Sequence, residues 1–215
     1  MNLPSALRTL AAAVATAALL SSIPLPIASG DGGGNVAGAA QSPPKPQARP
    51  HGTRVAVPAT ALKVDDGDTV AIRWDEKDEE IVRILGIDSP ETRHVAHNLP
   101  YGQPFGEEAR AFALGAFAAG GRIELVRAAT VDPFGRTLGY LFLDGRNYST
   151  MIVRARLAAE SITQFGDNGF PKEAAEVMEA GRAQGPLPFE PPHVFRARMR
   201  ELSNWLKARG EYPDR

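Results

Sequence analysis

"DTVAIRWDEKDEEIVRILGIDSPE", residues 68–91, carries the pattern that decides the fold. Val70, Ile72 and Trp74 alternate with other residues, which predicts a strand over 69–74. The polar "DEKDE" at 75–79 then reverses the chain into a second strand over 80–86. In that strand Ile81 and Leu85 share one face with Arg83, while Val82 and Ile84 occupy the other. Apolar residues on both faces suit a strand of a small closed barrel. Arg83 is out of place there, and Asp88 and Glu91 follow it closely, three residues apart around Pro90. Packing alone asks for none of these three.

Working outward, residues 59–65 read as a further strand, joined to 69–74 by the turn-prone "DDGD" to complete a meander. Downstream, "FGEEARAFALGAFAAGG" (105–121) places Ala109, Phe112, Ala113, Ala116 and Phe117 at helical spacing, with acidic residues in its first turn and Gly-Gly at its end. Strands over 122–127 and 137–143 flank "ATVDPFGR", and helices are expected over 148–159 and 171–182. Five strands with a helix between the third and fourth give an α+β chain, mainly β, in the order of a five-stranded OB-fold barrel. After "PLPFEPP", residues 194–209 form one more helix, with Phe195, Met199, Leu202, Trp205 and Leu206 on one stripe. That stripe is expected to dock on the barrel, leaving Arg196, Arg200, Lys207 and Arg209 solvated; a dedicated nucleic-acid contact is the alternative. Trp74 and Trp205 are both expected in the core.

The chain of 215 residues divides into four stretches. Residues 1–29, with Arg8, an apolar run from Leu10 to Leu20 and small residues near Ala28, have the layout of a secretory signal peptide. Export to a periplasmic or extracellular location is therefore expected, with membrane tethering through an uncleaved leader as the alternative. Residues 30–58, rich in Gly, Ala and Pro, are expected to be a flexible linker. The folded domain spans 59–185, and 186–215 is a helical extension. Charge is uneven: 61–191 hold 14 Lys and Arg against 21 Asp and Glu, whereas 192–215 hold 6 against 3. The absence of cysteine excludes disulfides, thiolate nucleophiles and Cys-ligated zinc.

Three clusters carry chemistry: "VDDGDTV" (64–70), "RILGIDSPE" (83–91) and "DPFGRTLGY" (132–140). Asp66, Asp68, Asp88 and Glu91 offer oxygen ligands suited to a hard divalent cation such as calcium. Arg83 and Arg136 supply planar forks that match phosphate oxygens. His94 and His97 fall in an expected loop without a third ligand and are expected to be solvated.

In their order these motifs, together with "GEEA" at 106–109, resemble the staphylococcal nuclease (thermonuclease) family over about residues 59–182. The resemblance implies a calcium-dependent nuclease acting on DNA or RNA and implies no obligate protein partner, with a monomer as the default expectation. It further implies that Asp68, Asp88 and the backbone carbonyl of Ser89 hold Ca2+ with Asp66 in support, that Glu91 positions or deprotonates the attacking water, and that Arg83 and Arg136 hold the scissile phosphate. Phe134 stands where the family has tyrosine, and Phe165 is the one aromatic in the stretch where the staphylococcal enzyme stacks the base; both are substrate-binding candidates. Arg156 occupies a position that is usually glycine. A catalytically silent OB-fold nucleic-acid-binding module, or a cell-envelope interaction domain, is the alternative.

Overall fold

The computed structural model describes residues 44–213; the leader expected over 1–29 and the first part of the linker lie outside that range. Among the described residues, nine short strands and five α-helices alternate with two 3-10 turns. The main sheet follows the order β1 (Arg54–Val57), β6 (Ile123–Val131), β7 (Thr137–Leu143), β4 (Glu79–Ile84), β3 (Thr69–Arg73), β2 (Leu62–Val64), with β8 (Arg146–Asn147) beside β7. It curls into a half-barrel of the OB type, an α+β fold. The five strands expected from the alternation are all present. Their pairing is antiparallel except between β4 and β7, where Arg83 lies opposite Leu138.

A second, two-stranded sheet pairs β5 (Ile87–Asp88) with β9 (Ala159–Glu160), setting Asp88 opposite Ala159. β9 exists because α2 (Tyr148–Arg154) stops five residues short of the expected Ala159. Arg156 sits at φ 61°, a left-handed conformation that turns the chain out of the helix. The short helix α3 (Ile162–Phe165) and the helix α4 (Pro171–Gln184) follow.

α1 (Gly106–Ala119) buries Ala109, Ala113 and Phe117. Phe117 stacks on Tyr148 at 4.8 Å, and the Tyr148 hydroxyl donates to the Gly67 carbonyl at 2.8 Å. The barrel core of Val70, Ile72, Val82, Ile84, Leu125 and Leu141 is thus tied through α1 and α2 to the turn that carries Asp66 and Asp68. Among the described residues no helix is long and apolar enough to cross a membrane.

Four expectations need correction. The linker does not reach residue 58: β1 pairs with β6, Pro46 bridges Thr130, and Gln47 donates its amide to the Ala129 carbonyl, so the chain is laid on the sheet from Lys45 onward. Alternation in β4 is one-sided, because Val82 and Ile84 are buried whereas Ile81 is 38% exposed. Arg83 therefore projects from the outer face. The C-terminal helix α5 (Pro192–Ala208) does not pack on the barrel core; Phe195 and Met199 form a small satellite cluster with Leu99, flanked by Leu202. Trp205 is 54% exposed, with the Arg209 guanidinium 4.7 Å from its ring centroid.

One buried polar group escaped the sequence pattern. Glu80, on the core face of β4, receives Arg127 Nε and Nη2 at 2.7 and 2.8 Å, the Trp74 indole at 2.7 Å and the Thr137 hydroxyl at 2.6 Å. Every partner lies on a different strand or strand end, so this carboxylate joins four segments of the sheet.

Candidate active site

Two turns and one strand supply the central cluster. The turn at Asp65–Asp68 is closed by the Asp68 amide donating to Asp66 Oδ1 at 2.9 Å. Gly67 is required there, since a Cβ at that position would lie 2.8 Å from Ser89 Cβ. This close approach lets the Ser89 amide and hydroxyl reach Asp68 Oδ2 at 2.6 and 3.0 Å. Asp68 is fixed by a second turn twenty-one residues away.

Arg83 bridges the two buried aspartates: Nη1 lies 2.8 Å from Asp68 Oδ1 and Nη2 lies 3.1 Å from Asp88 Oδ1. Nη1 also donates to the Ile84 carbonyl at 3.2 Å. Its rigid fork spans two carboxylates that would otherwise repel. Glu91 is held at its backbone by Gln103, whose side-chain oxygen accepts from the Glu91 amide at 3.3 Å and whose own amide donates to the Glu91 carbonyl at 2.8 Å. Gly106, at the start of α1, completes the seat; a Cβ there would come within 2.3 Å of that carbonyl oxygen.

The structure thus brings Asp66, Asp68, Arg83, Asp88, Ser89 and Glu91 together. It adds Arg196 from α5, which nothing in the local spacing indicates. Arg196 Nη1 and Nη2 fork onto Asp88 Oδ1 and Oδ2 at 2.9 and 3.1 Å, and Nη1 reaches Glu91 Oε1 at 2.5 Å. The expectation that Arg196 is merely solvated is corrected. The only hint in the sequence is the contrast between the acidic body and the basic terminal segment.

Arg136, Phe134 and Phe165 stand apart. Arg136 precedes β7, its Nε bonded to Asp132 at 2.6 Å and its guanidinium 5.6 Å from the Phe134 ring centroid. The parallel register places it along β7 two residues before Leu138, the partner of Arg83. Phe134 is 85% exposed at the tip of the β6–β7 hairpin, and Phe165 is 62% exposed at the end of α3. His94 Nε2 donates to Asp65 Oδ1 at 3.2 Å, and its ring stacks on His97.

The electrostatics follow from crowding acids. Burial, then the adjacent Asp68, pushes the Asp66 carboxyl well above the usual carboxylate range. Burial followed by Asp68 also raises Glu91, with Arg196 pulling the other way. Asp68, Asp88 and Glu91 pair with two guanidiniums while Asp66 stands beside them, so acidic groups outnumber cationic ones in the cluster. An all-oxygen, negatively charged donor set fits a hard divalent cation. Among the described residues, however, no three acidic or histidine side chains converge on one metal-binding point, and the two arginines intervene between the carboxylates.

Residues 81–183 match the family described as staphylococcal nuclease homologue. The thermonuclease of Staphylococcus intermedius is 37% identical over 97 residues, 45% of this chain and 55% of that protein. The thermonuclease of Staphylococcus hyicus is 34% identical over 98 residues, with the same coverage. The chain therefore spans about half the length of the curated relatives it matches.

Proposed function

Starting from a chain whose residues 81–183 form a staphylococcal nuclease-like domain, we propose that the protein is a calcium-dependent nuclease that hydrolyses phosphodiester bonds in DNA or RNA. The observation that carries this function is the convergence of Asp68, Asp88, Glu91 and Arg83 from two turns and a strand. Asp68, Asp88 and the Ser89 carbonyl would hold calcium, with Asp66 alongside. When bound, the ion supplies Lewis-acid polarisation of the phosphoryl oxygen.

The chain's own residues account for the rest. A phosphodiester gains negative charge at its non-bridging oxygens on the way to a pentacovalent transition state, so fixed positive charge there lowers the barrier. Arg83 offers a permanently charged fork set on a strand; its terminal nitrogens rest on Asp68 and Asp88, and they would turn to the phosphate once those carboxylates hold the metal. Arg136, in the turn just before β7 and apart from the carboxylate cluster, would supply a second fork to the phosphate; its Nε is used on Asp132, while its terminal nitrogens bond to none of the described residues. Glu91 is the base. Its raised proton affinity brings it closer to the neutral range in which a carboxylate can accept a proton from the attacking water.

Phe134 provides an exposed face for stacking, and the leader-like residues 1–29 support export. The test is cleavage of end-labelled single-stranded DNA, duplex DNA and RNA by the purified protein, with calcium and with chelator, beside Glu91→Ala. Calcium-dependent cleavage lost in that variant is the expected result. No cleavage by folded wild-type protein would overturn it in favour of a binding module.

A further inference from the structure

Arg196 satisfies the same oxygens that a metal would need. We propose that it is an internal cation that competes with the divalent metal for Asp88 and Glu91, so that α5 must release the cluster before the metal-loaded site forms. The proposal rests on the metal-dependent nuclease function above.

Asp88 Oδ1 accepts from Arg83 Nη2 and Arg196 Nη1, and Oδ2 accepts from Arg196 Nη2. The oxygens that would face a cation are thus directed at guanidinium N–H groups. Arg196 also takes Glu91 Oε1, pairing both acids with one positive charge. A divalent ion at Asp88 would sit against that guanidinium at a distance where like charges repel strongly in a partly dry site. Arg83 is anchored by Asp68 and the Ile84 carbonyl within the barrel, so Arg196, whose side chain is 30% exposed, is the cation with room to leave.

The seat of α5 is built for separation from the barrel. Its clustered apolar contacts are the satellite of Leu99, Phe195 and Met199 with Leu202, and although it also buries Pro192 and Leu206, none of its residues joins the main core. Its polar ties run to the loop that starts at Glu91: Ser203 Oγ donates to the Asn98 carbonyl at 2.8 Å and the Tyr212 hydroxyl to the Val95 carbonyl at 2.6 Å. Gln103 connects the two parts, bonding Glu91 on one side and the Glu190 carbonyl at 2.7 Å on the other. A segment packed outside the main core can open locally at lower free energy than the whole domain. Metal binding and α5 docking are therefore reciprocally opposed.

The experiment measures calcium binding by titration calorimetry on the full chain and on two variants, Arg196→Gln and Met199→Ser, and amide hydrogen exchange over 192–208 with and without calcium. Met199→Ser loosens the seat while keeping the charge. We expect at least tenfold tighter calcium binding in Arg196→Gln, a smaller gain in Met199→Ser, and faster exchange in α5 when calcium is added to wild type. Unchanged or weaker binding in both folded variants, or α5 protection unaltered at saturating calcium, would overturn the competition. If calcium still binds and supports cleavage in that case, the nuclease function stands and only the competition falls. Cleavage lost in Arg196→Gln at unchanged calcium affinity would make Arg196 a phosphate ligand instead. No calcium binding by any of the three proteins would remove both.

Discussion

Arg127 and Glu80 form a two-pronged ion pair across the buried face of the sheet, 47 residues apart in sequence and joined at 2.7 and 2.8 Å. Both side chains are at most 5% exposed, and the glutamate's remaining capacity is taken by Trp74 and Thr137. Removing one partner leaves the other charged and buried. Glu80→Ala should destabilise the protein by about 3–5 kcal/mol, measured by urea denaturation. Replacing Glu80 and Arg127 together with apolar residues should be much milder, which separates the orphaned charge from the pair itself.

The same carboxylate sets an acid limit. Burial works to raise the Glu80 pKa, but hydrogen bonds from Arg127, Thr137 and Trp74 outweigh it and hold the group below the ordinary glutamate value. Its folded-state pKa is depressed, so its contribution is fully present above the unfolded value and is lost as pH falls through the folded one. Thermal melts from pH 6 downward should therefore fall more steeply in wild type than in Glu80→Gln.

Arg83→Lys keeps the charge but loses the fork that spans Asp68 and Asp88. Cleavage should drop by roughly 10²–10³-fold. The melting temperature should change little, since Lys retains a cation between the two aspartates. Steady-state kinetics beside a thermal melt decide it; wild-type turnover would remove Arg83 from the phosphate site.

Gly106→Ala drives a methyl group into the Glu91 carbonyl, backbone against backbone. Nothing flexible is available to yield. The expected loss is about 1–3 kcal/mol of stability, together with reduced cleavage as Glu91 moves. A chemical melt and a single-turnover assay read the two effects separately.

Phe134→Ala should leave stability within about 0.5 kcal/mol, because the ring is solvent-exposed at a hairpin tip. It should weaken binding of single-stranded DNA by about 1–3 kcal/mol, read by fluorescence anisotropy. Unchanged binding would place the nucleic-acid path elsewhere.

The strands were legible wherever alternation met a hydrophobic core, as at Val70, Ile72, Val82 and Ile84. Clustering of Asp68, Arg83, Asp88 and Glu91 was legible because short motifs in one meander can meet only near its turns. Three features were not. β1 hides in a Gly- and Pro-containing stretch whose strand character comes from pairing with β6, a contact 66 residues away at Val57 and Ile123. Glu80 reads as one more acid in a charged loop, and its burial depends on an arginine supplied by another strand. Arg196 lies 105 residues from Glu91, beyond the reach of periodicity or spacing.

β1 also has a consequence for handling the protein. It covers the outer edge of β6, whose N–H and C=O groups from Ile123 to Val126 would otherwise face solvent beside an apolar run. A chain trimmed to begin at Ala59, the boundary that composition suggests, would present this bare edge as a template for strands of neighbouring molecules. Such a truncation would leave every residue of the carboxylate cluster in place, yet make the protein prone to self-association through that edge.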